Sequence, residues 1–399
     1  MGMTTAERGA LALAALAVTL VAAALVGTRR DRLQRLAIVT TVLTFVLVVF
    51  GAYVRLNDAG LGCPDWPGCY GNFTPDQASD AIQAAQAQNP AGPVSLPKAW
   101  KEMLHRYLAM LVGCFIVALA IAAWRSRRRF DAPYGLAMSA LAVVVLQGAF
   151  GALTVTLLLK PAIVTTHLAG GLTVLALLAL TARRLGPAPA VDAGGRRALR
   201  GPATLAAAAL LVQILLGGWV STNYAAAACG DLPLCQDHLA PQADFATAFN
   251  PFRELGRTAS GANLPLPALT AIHMAHRGFA IVAFAALIAL AWRAGRTRGS
   301  GALGVALALA VCVQVALGIG IVAAMSPDHL AIASQLAVAA GHNAGAAVLV
   351  VLLTMLNFHA WSSGDVRAVD PGGSHSGEPD PARDRRARLA PDATAPAAT

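Results

Sequence analysis

Charge is what this chain of 399 residues has least of: Asp, Glu, Lys and Arg make up 13% of it, against about 25% in a soluble globular domain. Glutamate is scarcest, with Glu7, Glu102, Glu254 and Glu378 the full set. No basic stretch is interleaved with aromatic residues, so the formal net charge of +10 calls for no nucleic-acid partner. No nucleotide-binding motif occurs, which argues against an ATP-driven exporter. What fills the chain is apolar: 57% hydrophobic residues and a mean hydropathy of +0.60.

Apolar runs long enough to cross a hydrocarbon core of about 30 Å occur near 9–27, 35–54, 103–124, 133–157, 161–182, 200–220, 270–294, 301–325 and 329–357. Arginines mark alternate connections, at Arg29 to Arg35, Arg125 to Arg129, Arg183 to Arg200 and Arg293 to Arg298. Short Lys/Arg-rich loops stay on the cytoplasmic side, so the long connections 55–100 and 221–268 face outward. The run 9–27 has two readings, a signal peptide or an uncleaved extra helix; cleavage would leave the Arg29 to Arg35 cluster outside, which favours the helix. The stretch from Ser362 to Thr399 lacks apolar periodicity and is expected to be a disordered cytoplasmic tail.

One chemical pattern occurs twice. Cys63-Pro-Asp65-Trp-Pro67-Gly-Cys69, His105-Arg106 and His167-Leu-Ala169-Gly170 are answered by Cys229-Gly-Asp231-Leu-Pro233-Leu-Cys235, His276-Arg277 and His342-Asn-Ala344-Gly345. Gln147 and Gly151 are answered by Gln314 and Gly318. The expected fold is an all-α polytopic membrane protein, with two pseudo-twofold-related four-helix bundles, eight core transmembrane helices, and one extra N-terminal hydrophobic helix. Its segments are 1–34 (extra helix and basic loop), 35–182 (first half), 183–199 (linker), 200–358 (second half) and 359–399 (tail).

Each cysteine pair encloses five residues in an outward-facing loop, where disulfides persist, so Cys63–Cys69 and Cys229–Cys235 are expected. They act either as staples or as redox-active dithiols; the spacing is not a common zinc pattern.

Ionisable groups within a bilayer point to function. His105, His167, His276 and His342 form two matched pairs within the spans, and two histidines from facing helices of a bundle suit the axial positions of a heme iron. Ala169, Gly170, Gly171, Ala344 and Gly345 are small enough to let a flat macrocycle approach. Counting residues from the apolar ends places both sites near the outer face. Arg106 and Arg277 suit heme propionates or interfacial snorkelling. The halves differ at Glu102, three residues before His105, where the second half has His273. A carboxylate there can orient a ligand, shuttle protons or activate water; alternatively it is an acid at a helix N-terminus. The first half is therefore the candidate catalytic site (Glu102, His105, His167) and the second (His276, His342) the resident cofactor site. His273 remains an alternative ligand, although the His-Arg match favours His276.

The segment Gly51–Cys69, the LGGWVSTNYAAAAC segment Leu216–Cys229 and the TAIHMAHR segment Thr270–Arg277 resemble signatures of the heme A synthases, in their Gram-negative bacterial branch; the resemblance covers roughly 35–358. It implies oxidation of a ring methyl of heme O to the formyl group of heme A, by two hydroxylations and loss of water, for terminal oxidases. It also implies that His276 and His342 hold a heme b cofactor, while His105, His167 and Glu102 serve the substrate. Expected partners are heme O and heme A, membrane lipid, a heme O synthase and an electron-transfer protein; a homo-oligomer is compatible with the pattern. The expected location is the inner membrane, with the cysteine loops periplasmic. Asn57-Asp58-Ala59 and Gly230 depart from the family pattern in loops rather than at ligands. Two rivals stand beside this reading: a diheme electron-transfer protein, and a heme-handling protein using the outer loops.

Overall fold

Thr28 begins the described chain's first helix: its hydroxyl accepts from the Asp31 N–H, and the Asp31 carboxylate accepts from the Thr28 N–H, a reciprocal cap that satisfies two otherwise unpaired donors. A computed structural model describes residues 27–258, 260–324 and 332–362. Among them are eight helices long and apolar enough to cross a membrane: α1 (Arg29–Leu56), α2 (Leu96–Ser126), α3 (Tyr134–Thr156), α4 (Pro161–Leu185), α5 (Ala193–Thr222), α6 (Leu266–Gly295), α7 (Gly301–Ala324) and α8 (Ile332–Trp361). The protein is thus a multi-pass, all-helical membrane protein, and the described residues contain no strand. The extra helix read at 9–27 and the tail beyond 362 lie outside the described residues.

Several helices start earlier than their apolar runs. α2 begins at Leu96 with a proline in its first turn, where the missing N–H costs nothing, and its opening turns carry Lys98, Trp100 and Lys101. α5 begins at Ala193, inside the stretch read as linker; Asp192 caps it by accepting from the Gly195 N–H at 2.6 Å. The polar ends of these helices therefore project past the apolar stretch that hydropathy detects. His105 consequently sits nine residues into its helix, about 13 Å at 1.5 Å per residue, rather than close to its outer end.

Helix packing follows one pattern in both halves. α1 packs on α2 and α4, with α3 against α2 and α4; α5 packs on α6 and α8, with α7 against α6 and α8. Each half has its own apolar core, around Leu33, Ile116, Leu119 and Leu178 in one and Leu199, Leu290, Leu307 and Leu356 in the other. Between the halves, α8 packs on α1 and α4, and α4 on α5, with Leu172, Leu175 and Ala347 at the junction. Large apolar side chains such as Val145, Ile281 and Leu309 point outward and are more than 60% exposed, as a lipid-facing surface requires.

At the arginine-bearing end, Arg30 Nε donates to the Leu185 carbonyl at 3.0 Å and Arg200 Nε to the Ala360 carbonyl at 3.2 Å, so each half ties its first helix to its last. At the opposite end, Arg55 donates to the Ser221 carbonyl at 2.8 Å and the Tyr224 hydroxyl to Asp58 at 2.6 Å. The first long connection has a small core: helix Ser79–Gln88 places Ile82 with Cys63, Cys69, Ala78, Ala99 and Met103 in a buried cluster over the start of α2.

Candidate heme sites

Both cysteine pairs are bonded, Cys63–Cys69 with Cα atoms 4.9 Å apart and Cys229–Cys235 at 4.7 Å, inside the usual range. The aspartate of each C-x-D-x-P-x-C loop explains the motif. Asp65 accepts from the N–H groups of Tyr70 (2.6 Å) and Gly71 (2.7 Å), and Asp231 from those of Gln236 (2.9 Å) and Asp237 (3.0 Å). Tyr70, Gln236 and Asp237 hold positive φ, an unfavourable backbone that the carboxylate acceptors stabilise. Desolvation opposes the Asp231 charge, but the Asp237 and Gln236 N–H groups prevail and hold its carboxyl below the usual carboxylate range.

The arginine after each histidine grips these loops. Arg106 donates to the carbonyls of Asp65 (2.9 Å) and Gly68 (2.6 Å) and to the Glu102 carboxylate. Arg277 donates to the carbonyls of Asp231 (3.0 Å), Leu234 (2.9 Å) and Cys229 (2.8 Å), and through Nε to His273 Nε2 at 3.0 Å. The donors considered for propionates are thus spent largely on loop carbonyls. Glu102, 5% exposed, also accepts from the Cys63 N–H at 2.9 Å. His273 bonds the Ala225 carbonyl through Nδ1 at 3.0 Å, so the Nδ1–H tautomer leaves Nε2 as the acceptor for Arg277 and both ring nitrogens are engaged. Glu102 and His273 hold the same post: each accepts from the arginine four residues on and fastens an outer loop to its helix.

The four remaining histidines are brought together in pairs. His105 on α2 and His167 on α4 are close enough to interact electrostatically, as are His276 on α6 and His342 on α8. Every one of the four rings abuts a glycine on a neighbouring helix. A Cβ at Gly51 would fall 2.8 Å from His105 Cε1, at Gly217 2.9 Å from His276 Cε1, at Gly318 3.2 Å from His342 Cε1, and at Gly151 3.8 Å from His167 Cε1. Two of the small residues of the His-x-Ala-Gly segments have a further use. The room at Gly170 is filled by the Gln147 side-chain amide and that at Gly345 by the Gln314 amide, which a Cβ would meet at 1.9 and 2.1 Å. Gly170 and Gly345 thus admit a glutamine from the preceding helix.

Sequence reading passed over Gln213. It approaches His276 Nδ1 at 3.1 Å and donates to the His276 carbonyl at 3.2 Å. The signal was available in Gln213-x3-Gly217, which repeats Gln147-x3-Gly151 and Gln314-x3-Gly318.

The donor set fits heme. Among the described residues no three His, Cys, Asp or Glu converge as a bare metal site; two imidazoles leave the other positions to a macrocycle's nitrogens. Nδ1 of His105 and of His167 are buried without a hydrogen-bond partner.

Residues 34–354 match the family described as cytochrome oxidase assembly protein. A heme A synthase from Shewanella oneidensis is 36% identical over 324 residues, 81% of this chain and 95% of that protein. The chain belongs to the heme A synthase family. A heme A synthase from Sphingopyxis alaskensis is 33% identical over 238 residues, 54% of this chain and 66% of its own length. In another heme A synthase, from Geobacillus kaustophilus, the match is 34% over 171 residues, 41% and 47% of the two chains.

Proposed function

We propose that this chain is itself a heme A synthase, oxidising a ring methyl of heme O to the formyl group of heme A for terminal oxidases. The observation that carries the proposal is the pair His105 and His167, whose Nδ1 atoms are buried without a hydrogen-bond partner, on the half that has a carboxylate, Glu102, three residues before its helix histidine. In this reading His276 and His342 hold a resident heme b, which when bound supplies one-electron redox chemistry. His105 and His167 receive the substrate heme, and the Glu102 carboxylate, accepting from Arg106 and the Cys63 N–H, is the proton acceptor beside it. Arg106 keeps that carboxylate and the 63–69 loop in place, and the loop's buried cluster keeps water from the helix start. Two halves at 35–182 and 200–358 divide these tasks. Their pseudo-twofold relation is supported by the recurring arginine ties at one end and the matched loop clamps at the other.

The arginine-rich connections support an orientation in the inner membrane with the cysteine loops periplasmic. That orientation directs the partners: a heme O synthase delivering substrate through the lipid, and an electron-transfer protein reaching the outer loops. The test is to express the chain with a heme O synthase in cells lacking heme A activity, then separate the extracted hemes with mass detection. Heme A should accumulate, and His105→Ala should abolish it. Bound heme b with unconverted heme O, with a redox partner supplied, would overturn the enzyme reading in favour of electron transfer.

A further inference from the structure

Each of the four histidines meets a glycine of a neighbouring helix, and the residue four positions before that glycine faces the same way, one helical turn earlier. Three of these residues are glutamines and one is not: Gln147 before Gly151, Gln213 before Gly217, Gln314 before Gly318, but Leu47 before Gly51. In the second half both glutamines reach the rings. Gln213 Nε2 lies 3.1 Å from His276 Nδ1 and 3.4 Å from His276 Nε2, and Gln314 Nε2 lies 3.3 Å from His342 Nε2 while the Gln314 backbone carbonyl takes the His342 Nδ1 hydrogen at 3.1 Å. In the first half neither ring is held: His105 Nδ1 and His167 Nδ1 are both buried and unpartnered. Gln147 turns its amide over Gly170, and Leu47 packs into the apolar core with its side chain.

A histidine that ligates a metal through one nitrogen is oriented by what its other nitrogen bonds, and loss of that partner weakens binding by about 10- to 100-fold. A carboxamide suits this role because it offers a donor and an acceptor at one end and matches either ring tautomer. We propose that Gln213 is a positioning residue that makes His276 a permanent heme ligand, and that Leu47 at the matching place leaves His105 an unrestrained ligand from which a tetrapyrrole exchanges. One site retains its heme and the other turns over, and the sequence difference between them includes this helical position. This rests on the proposed division between a resident and a substrate site and names the residues that create it.

The test uses the full chain, purified from membranes with its heme, and follows transfer of heme b to excess apomyoglobin. Gln213→Leu should lose heme about 10- to 100-fold faster, with the melting temperature of the heme-stripped chain unchanged. It should also raise the heme reduction potential, whereas Gln213→Glu, a stronger acceptor from the ring, should lower it; packing alone predicts no such opposed pair. Leu47→Gln, loaded with hemin at the first site, should release it more slowly by a similar factor. If the Gln213 variants keep the native transfer rate and potential, the proposal fails, and a folded Leu47→Gln with native release overturns its exchange half. A wild-type chain that carries no heme, or a His276→Ala chain that keeps all of it, would instead overturn the reading of function beneath.

Discussion

Glu102 is the residue on which chemistry and architecture meet, because its carboxylate holds both the Cys63 N–H and Arg106. Removing one partner of a buried ion pair costs about 3–5 kcal/mol; carbonyl partners retained by Arg106 place Glu102→Ala at the lower end, about 3 kcal/mol, measurable by thermal unfolding in detergent. Because His273 occupies the same post in the second half, Glu102→His separates the two roles. It should preserve the loop and most of the stability while heme A formation is lost, with the second-half heme retained in both variants; full activity in Glu102→His would remove the carboxylate from the chemistry. Asp231 offers a pH test. Its folded-state carboxyl lies below the usual range, so its contribution is complete above the unfolded value near 4 and is lost as pH falls through the folded value. The protection of the Gln236 and Asp237 amides against hydrogen exchange, corrected for the intrinsic rate at each pH, should therefore drop on acidification below pH about 4, a step that Asp231→Asn should lack.

At the scale of the helices, close approach is set by a few glycines. A Cβ at Gly304 would meet Gly295 N at 2.4 Å and the Ala291 carbonyl at 2.7 Å, both backbone atoms that cannot turn aside. Gly304→Ala should therefore force α6 and α7 apart and cost about 1–3 kcal/mol, lowering the melting temperature. Gly345→Ala differs, since it meets the movable end of Gln314; the fold should survive while the His342 contact is lost, seen as a changed heme spectrum at nearly native stability. The spans were legible because an uninterrupted apolar run of membrane length is rare in a chain that folds in water, and the paired histidines because the motif occurs twice. Helix starts were not: the opening of α2 is polar, and hydropathy measures the membrane rather than the helix. Helix Ser79–Gln88 escaped because one buried side chain, Ile82, anchors it. Gln213 escaped because comparison of the halves sets it against Leu47, so a search for matched chemistry passes over it.

For the whole molecule, two contacts between halves at the cysteine-loop end join residues separated by 166 positions, Arg55 with Ser221 and Asp58 with Tyr224. That separation equals the repeat offset from Cys63 to Cys229. Because α1, α4, α5 and α8 all take part in packing between halves, covalent continuity across the turn between α4 and α5 should be dispensable. Chains divided between Ala188 and Pro189 and expressed together should copurify; failure of the pieces to associate would show that the connection, not the packing, holds the halves. In a symmetric homodimer a residue near the twofold axis meets its own twin. Arginine there would face arginine, and aspartate aspartate, an arrangement that like-charge repulsion disfavours. A single chain is free of that constraint, so a guanidinium rests on a carbonyl and a carboxylate meets a phenol.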